Sequence, residues 1–219
     1  MSPMTLSLLY EATLQTLAMV IVSGFFTLVF GLPLGVLMYI AREKQLLNQP
    51  MLGRVLSLIV NITRSIPFVI LMVIIIPFTR LLAGTSIGTV AAMVPLTLCA
   101  IPFFARVTEN ALLEINPGLI ETAHAMGATL PQIIRKILLP EALPNLINGF
   151  TLTLINLTGY SAMAGAIGGG GLGDLAIRYG YQRFEITILF FAMAIMVILV
   201  QFIQFAGDFA AKWFAYPEN

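Results

Sequence analysis

Residues 186–206 read ITILFFAMAIMVILVQFIQFA, a run of 21 residues without a charged side chain. Coiled as an α-helix at about 1.5 Å per residue, it is long enough to cross the roughly 30 Å hydrocarbon core of a bilayer. Four further apolar runs of comparable length lie upstream, at 14–40, 55–78, 87–104 and 143–167. In hydrocarbon the backbone must satisfy its own hydrogen bonds, so such runs are expected to be helices. The two-residue alternation of a membrane barrel is missing. The expected fold is therefore an all-α integral membrane protein with five transmembrane helices in one domain spanning residues 1–219.

Composition agrees. Hydrophobic residues make up 59% of the chain and charged residues 10%, with a mean hydropathy of +0.97, whereas a soluble domain is about 25% charged. The net charge of +1 implies no nucleic-acid or polyanion partner. The single cysteine, Cys99, leaves no disulfide framework or multi-cysteine metal cage within one chain, and the single histidine, His124, leaves no multi-histidine site in one protomer. No basic residue precedes the first apolar run, so that segment is expected to stay in the mature protein.

Loop cations set the orientation. With the N-terminus outside, Arg42, Lys44, Arg54, Arg106, Arg135, Lys136 and Lys212 fall on the cytoplasmic side, against Arg80, Arg178 and Arg183 outside. The chain is thus expected N-out and C-in, with the loop at about 106–141 in the cytoplasm. Pro33, Pro67, Pro77, Pro95 and Pro102 fall within or at the ends of the spans, where each removes a backbone donor and can bend a helix. Gly31 with Gly35, and Ala162 with Ala166, are small-xxx-small pairs that let helices approach closely.

The loop reads as two short helices. Asn116 before Pro117 is a helix start, with Leu119, Ile120, Ala123 and Met126 on one face and Gly127 as the stop. A second helix starts at Thr129 and Pro131, carries Ile133, Ile134, Ile137 and Leu138 as its apolar stripe, and is expected to end at Pro140. The first helix either packs its apolar face on the protein's own helices or inserts it into a groove of another protein.

The stretch ETAHAMGATLPQIIRKILLP at 121–140 resembles the cytoplasmic coupling motif of ABC importer permeases. That motif runs Glu-Ala-Ala, three residues, Gly, nine residues, Ile, one residue, Leu-Pro. Glu121, Ala123, Gly127, Ile137, Leu139 and Pro140 stand at its spacing, and Thr122 replaces the first alanine. RSIPF at 64–68, NALLE at 110–114, PEALP at 140–144, GYSAM at 159–163, the glycine run at 168–173 and QFAGD at 204–208 look like the methionine-uptake branch of that family, and cover most of the chain.

The resemblance implies a type I importer permease of the bacterial cytoplasmic (inner) membrane. It implies a homodimer of this subunit, two cytoplasmic ATPase subunits that bind the ATP, and an extracytoplasmic substrate-binding protein or lipoprotein. No cofactor is expected in this chain. The helix bearing Glu121 to Gly127 would dock on the ATPase, with Glu121 facing a basic partner group. The translocation path would run along spans three to five, with Tyr160, Ser161 and Met163 singled out in span four. Met163 is either a flexible hydrophobic gate or ordinary helix packing. Arg64 is either a functional intramembrane cation or a structural one that snorkels.

Two other patterns carry less. Gly168, Gly170 and Gly173 match G-x-G-x-x-G, but no strand precedes them, and a flexible bend is the better account. Without G-x-x-x-x-G-K-[ST] the chain has no P-loop of its own. Glu109 and Glu114 are expected to be solvated or paired with Arg106. No catalytic constellation is visible, so no enzyme activity is expected in this subunit. An ion-gradient transporter or channel is the competing reading, disfavoured by the lack of central acidic residues. A purely structural subunit would leave the coupling motif unexplained, and another amino acid could replace methionine as cargo.

Overall fold

The computed structural model describes residues 3–42, 46–47 and 49–214, and among these all regular structure is helical. Lys44, one of the cations used for orientation, lies outside the described residues. Helices α1 (Pro3–Ile40), α5 (Thr89–Leu113) and α11 (Ile186–Phe214) are each long and apolar enough to cross a membrane unaided. All three run further than the apolar stretches alone indicate, because helix continues into polar flanks where its backbone bonds still pay.

The second expected span, 55–78, is not one helix. It divides into α2 (Pro50–Ser65), α3 (Phe68–Ile74) and α4 (Ile76–Ala83), with α2 and α3 bent by 100°. Pro67 is the cause. Its ring disfavours helical backbone at the preceding residue, and Ile66 sits in extended geometry (φ −80°, ψ 123°). The fourth span, α9 (Leu143–Ala166), continues after a glycine turn into α10 (Gly171–Leu175) and a π-turn at Ala176–Tyr181, the pair bent by 42°. Unbroken helices alone number three spans among the described residues; counting each bent pair as one brings the total to five.

Close backbone approach builds the bundle. A Cβ on Gly35 would lie 2.5 Å from the Ala105 carbonyl oxygen, and one on Gly31 3.1 Å from that of Ile101. The Gly31/Gly35 pair therefore seats α1 against α5, as its spacing predicts. Pro33, Pro95 and Pro102 lie inside continuous helices, so these prolines do not break them.

The glycine run bends, but it is packed rather than loose. The N–H groups of Gly171 and Leu172 donate to Gln15 Oε1 (2.8 Å) and Thr16 Oγ1 (2.9 Å) of α1. Gly173 then lies so close to α9 that a Cβ would fall 2.3 Å from the Ala162 carbonyl oxygen. At the opposite end of the bundle one cluster unites Tyr39, Leu112, Ala123, Ile133, Leu138 and Leu146. It fixes the 106–141 segment to the ends of α1, α5 and α9.

Candidate coupling and translocation site

The coupling segment begins at α6 (Pro117–Ala125). Asn116 caps it, its side-chain oxygen accepting from Gly118 N–H at 2.9 Å. Gly127 closes it at φ 76°. There the N–H of Gly127 donates to His124 O (2.9 Å) and that of Ala128 to Ala123 O (3.0 Å), the paired bonds of a Schellman ending. Gly127→Ala is expected to cost about 1–2 kcal/mol from the left-handed backbone alone, since nothing lies within 4 Å of the added carbon. Thermal unfolding of the purified protein checks this, and unchanged stability would refute the requirement.

The motif splits by direction. Ala123 is 5% exposed and, with Ile120, Ile137 and Leu139, belongs to the cluster that ties the segment down. Glu121, Thr122, His124 and Gly127 point outward, and Pro140 is exposed. Leu119 and Met126 do not join the buried face as helical spacing suggested: they are 43% and 82% exposed. Met126 falls past the last helical residue, at the cap, so it leaves the α6 stripe. The helix thus packs on its own chain through one face and presents apolar and acidic groups on the other.

Pro140 does not end the second loop helix. The chain runs from α7 (Leu130–Ile133) through a π-turn (Ile134–Leu138) and α8 (Leu139–Glu141) into α9, with only Ala142 between. Gln132 Oε1 accepts from Thr129 N–H at 2.8 Å at the start. The widened turn, where Leu139 N–H reaches back to Ile134 O, accommodates the proline that would otherwise break the ladder. Residues 130–166 are thus helical throughout except at the turn residue Ala142.

Along α9 Tyr160 and Met163 share a face at i, i+3. Tyr160 stacks on Phe68 of α3 with ring centroids 4.9 Å apart, and Met163 is 49% exposed. Ser161 is not with them. It is 1% exposed, and its hydroxyl donates to Thr158 O at 2.7 Å within the helix. Arg64, in the last turn of α2, places its guanidinium carbon 5.6 Å from the Phe103 ring centroid. The helix C-terminus and the ring both favour that cation.

The family model for "Binding-protein-dependent transport system inner membrane component" matches residues 31–215. The chain belongs to that family. Its relatives include "Probable D-methionine transport system permease protein MetI" of Vibrio cholerae, 55% identical over 201 residues, covering 92% of this chain and 89% of the relative. The D-methionine transport system permease protein MetI of Escherichia coli K12 is 60% identical over 165 residues, 75% of this chain and 76% of that protein. A solved structure, "Inward facing conformations of the MetNI methionine ABC transporter", superposes at a TM-score of 0.97 with 55% identity, covering 99% of this chain and all of the other. An amino acid ABC transporter structure 17% identical superposes at 0.71 and shares the fold.

In this inner-membrane component one polar cluster was only partly legible in the sequence: the expected pairing of Glu109 with Arg106 is present. Glu109 is 2% exposed and not solvated. Its Oε1 meets Arg42 at 3.4 Å and its Oε2 meets Arg106. Arg106 also donates to Ser57 Oγ (2.7 Å) and Asn61 Oδ1 (2.9 Å) of α2. Glu109 thus ties α5 to the end of α1 through Arg42, and Arg106 ties α5 to α2. Only the Arg106–Glu109 spacing of three was legible; Arg42 and α2 arrive from 67 and 49 residues away. Glu114 is exposed and accepts from Asn145 Nδ2 at 2.6 Å.

Proposed function

We propose that this chain is the permease subunit of an ATP-driven methionine importer, working as a homodimer with two cytoplasmic ATPase subunits and an extracytoplasmic binding protein. The near-complete superposition on a methionine ABC transporter, at a TM-score of 0.97, carries the reading. On this reading the chain makes five passes, with the N-terminus outside and the α6 end in the cytoplasm. Arg42, Arg54, Arg106, Arg135 and Lys136 all lie at that end, as the positive-inside bias requires. ATP is bound and hydrolysed on the partner, and this chain needs no cofactor.

The mechanism follows from the split motif. Glu121, flanked by exposed Leu119 and Met126, meets the ATPase with a charge and an apolar rim. Ala123, Ile137 and Leu139 hold the segment to the ends of α1, α5 and α9, so it moves as a rigid block, with Gly127 and Pro140 shaping its turn and its continuation. Closure of the ATPases displaces α6, and the linked helical segments at 130–166 carry the displacement to Tyr160 and Met163. Met163 of two protomers closes the path. Ser161 holds the local helix geometry behind them.

ATP-dependent uptake of labelled methionine by proteoliposomes containing the assembled complex tests the proposal; uptake that follows an ion gradient without ATP would overturn it. Met163→Ala is expected to raise ATPase activity in the absence of binding protein severalfold, or to leak methionine. Tight coupling in that variant would return Met163 to ordinary packing.

A further inference from the structure

The break between α2 and α3 has a cation beside it. Arg64 stands in the last turn of α2, over the ring of Phe103 near the middle of the 25-residue α5. Apart from that ring, its guanidinium makes no hydrogen bond or ion pair among the described residues. Glu109, the acid of α5, is taken up by Arg42 and Arg106. A cation inside a membrane bundle without a carboxylate of its own is costly, and such residues mark substrate pathways.

The neighbouring backbone points the same way. Ile66 is extended and Pro67 has no N–H, so the last carbonyls of α2 meet no following helical turn. Ser65 and Pro67 are exposed, so the chain's own packing does not bury the break. Irregular backbone at membrane depth persists only where protein buries it or where it lines a water-filled cavity. Phe68, the first residue of α3, stacks on Tyr160 of the path, and Arg64 and Cys99 both act electrostatically on the Tyr160 phenol. A cation beside free carbonyls, with stacked rings as a wall, suits a zwitterion with an apolar side chain.

We propose that Arg64 binds the α-carboxylate of the amino acid as it crosses the membrane. The contact rests on the function given above. The carbonyls ending α2 accept from the ammonium, and Tyr160 and Phe68 flank the side chain, where a thioether sits favourably against an aromatic ring. Discontinuous helices hold substrates near the midplane in this manner, their ends and unwound carbonyls meeting the charged groups. Arg64 replaces the water that the carboxylate sheds and so offsets the cost of its desolvation.

The test is methionine moved per ATP hydrolysed, in proteoliposomes holding the assembled complex and supplied with binding protein. Arg64→Gln is expected to lower that yield about tenfold or more, the effect of losing one hydrogen bond to a charged group. Arg64→Lys, which keeps the charge without the fork, is expected to recover most of it, and Arg64→Glu to fall below Arg64→Gln. Charge then sets the order, whereas a residue that only packs on Phe103 would leave the Gln and Glu variants alike. Arg80→Gln, which removes a cation in the last turn of α4, is expected to keep the parent yield.

Equal yields in the parent and Arg64→Gln, a loss in Arg64→Lys as deep as in Arg64→Gln, Gln and Glu variants that match, or an equal loss in Arg80→Gln would overturn the contact. If Arg64→Gln fails to assemble with the ATPase, Arg64→Met, which keeps the packing of the stem, is expected to show the same loss. Failure of both to assemble would make Arg64 a structural residue and overturn the contact as well. A parent without ATP-driven uptake overturns the function proposed above, whereas a parent that transports beside an unaffected Arg64→Gln overturns the Arg64 contact alone.

Discussion

Glu121→Lys is expected to leave the chain folded and inserted while removing the ATPase from the purified complex and abolishing ATP-driven uptake. Glu121 is exposed, and no ion pair holds it among the described residues. Surface substitutions of that kind shift stability by only about 0.5 kcal/mol. Losing one partner of a buried, hydrogen-bonded interface charge costs about 2–5 kcal/mol, about 30-fold or more in association. Reversing the charge adds repulsion. Pull-down of the ATPase with a tagged permease, beside thermal unfolding of the permease, separates the two effects. Wild-type recovery with full uptake would remove Glu121 from the docking surface. Loss of both stability and association would mean that the residue holds the chain's own fold.

The second large effect belongs to Gly173. An added Cβ would fall 2.3 Å from the carbonyl oxygen and 2.4 Å from the Cα of Ala162. Both are backbone atoms of α9, so no side chain can swing away. The turn is pinned from the other side, since Gly171 and Leu172 bond to Gln15 and Thr16 of α1. Gly173→Ala is expected to destabilise the protein by about 1–3 kcal/mol, the usual range for overpacking, and Gly173→Leu by more. Gly159→Ala is the contrast, because nothing in the chain lies within 4 Å of its added carbon. A clear drop in melting temperature for the first and none for the second is the expected pair. Equal stability of Gly173→Ala and the parent would show that α10 is free to move away from α9.

The membrane fold was legible because it follows from local rules that one run of residues satisfies alone. The uncharged stretch at 186–206 became α11, and the start at Asn116 and stop at Gly127 became the ends of α6. Hydrocarbon length, a side-chain cap and a left-handed glycine each act within a few residues. Prolines were legible only as potential breaks. Pro33, Pro95 and Pro102 stay inside helices, Pro67 ends one, and Pro140 is absorbed by a π-turn. What separates them is whether neighbouring groups can re-satisfy the freed carbonyls.

By itself the sequence determined that the chain lies in a membrane, where its helices cap, and which family's coupling motif it carries. Tertiary structure alone decided that Ala123 turns inward while Met126 turns outward, and that Tyr160 and Met163 share a face without Ser161. It also decided that Glu109 is buried between two arginines. The burial of Ala123, the stacking of Tyr160 on Phe68 and the Arg42–Glu109 pair each depend on a partner from a distant part of the chain. Helical periodicity sets which residues share a face, but only the packed neighbours set which face is inside.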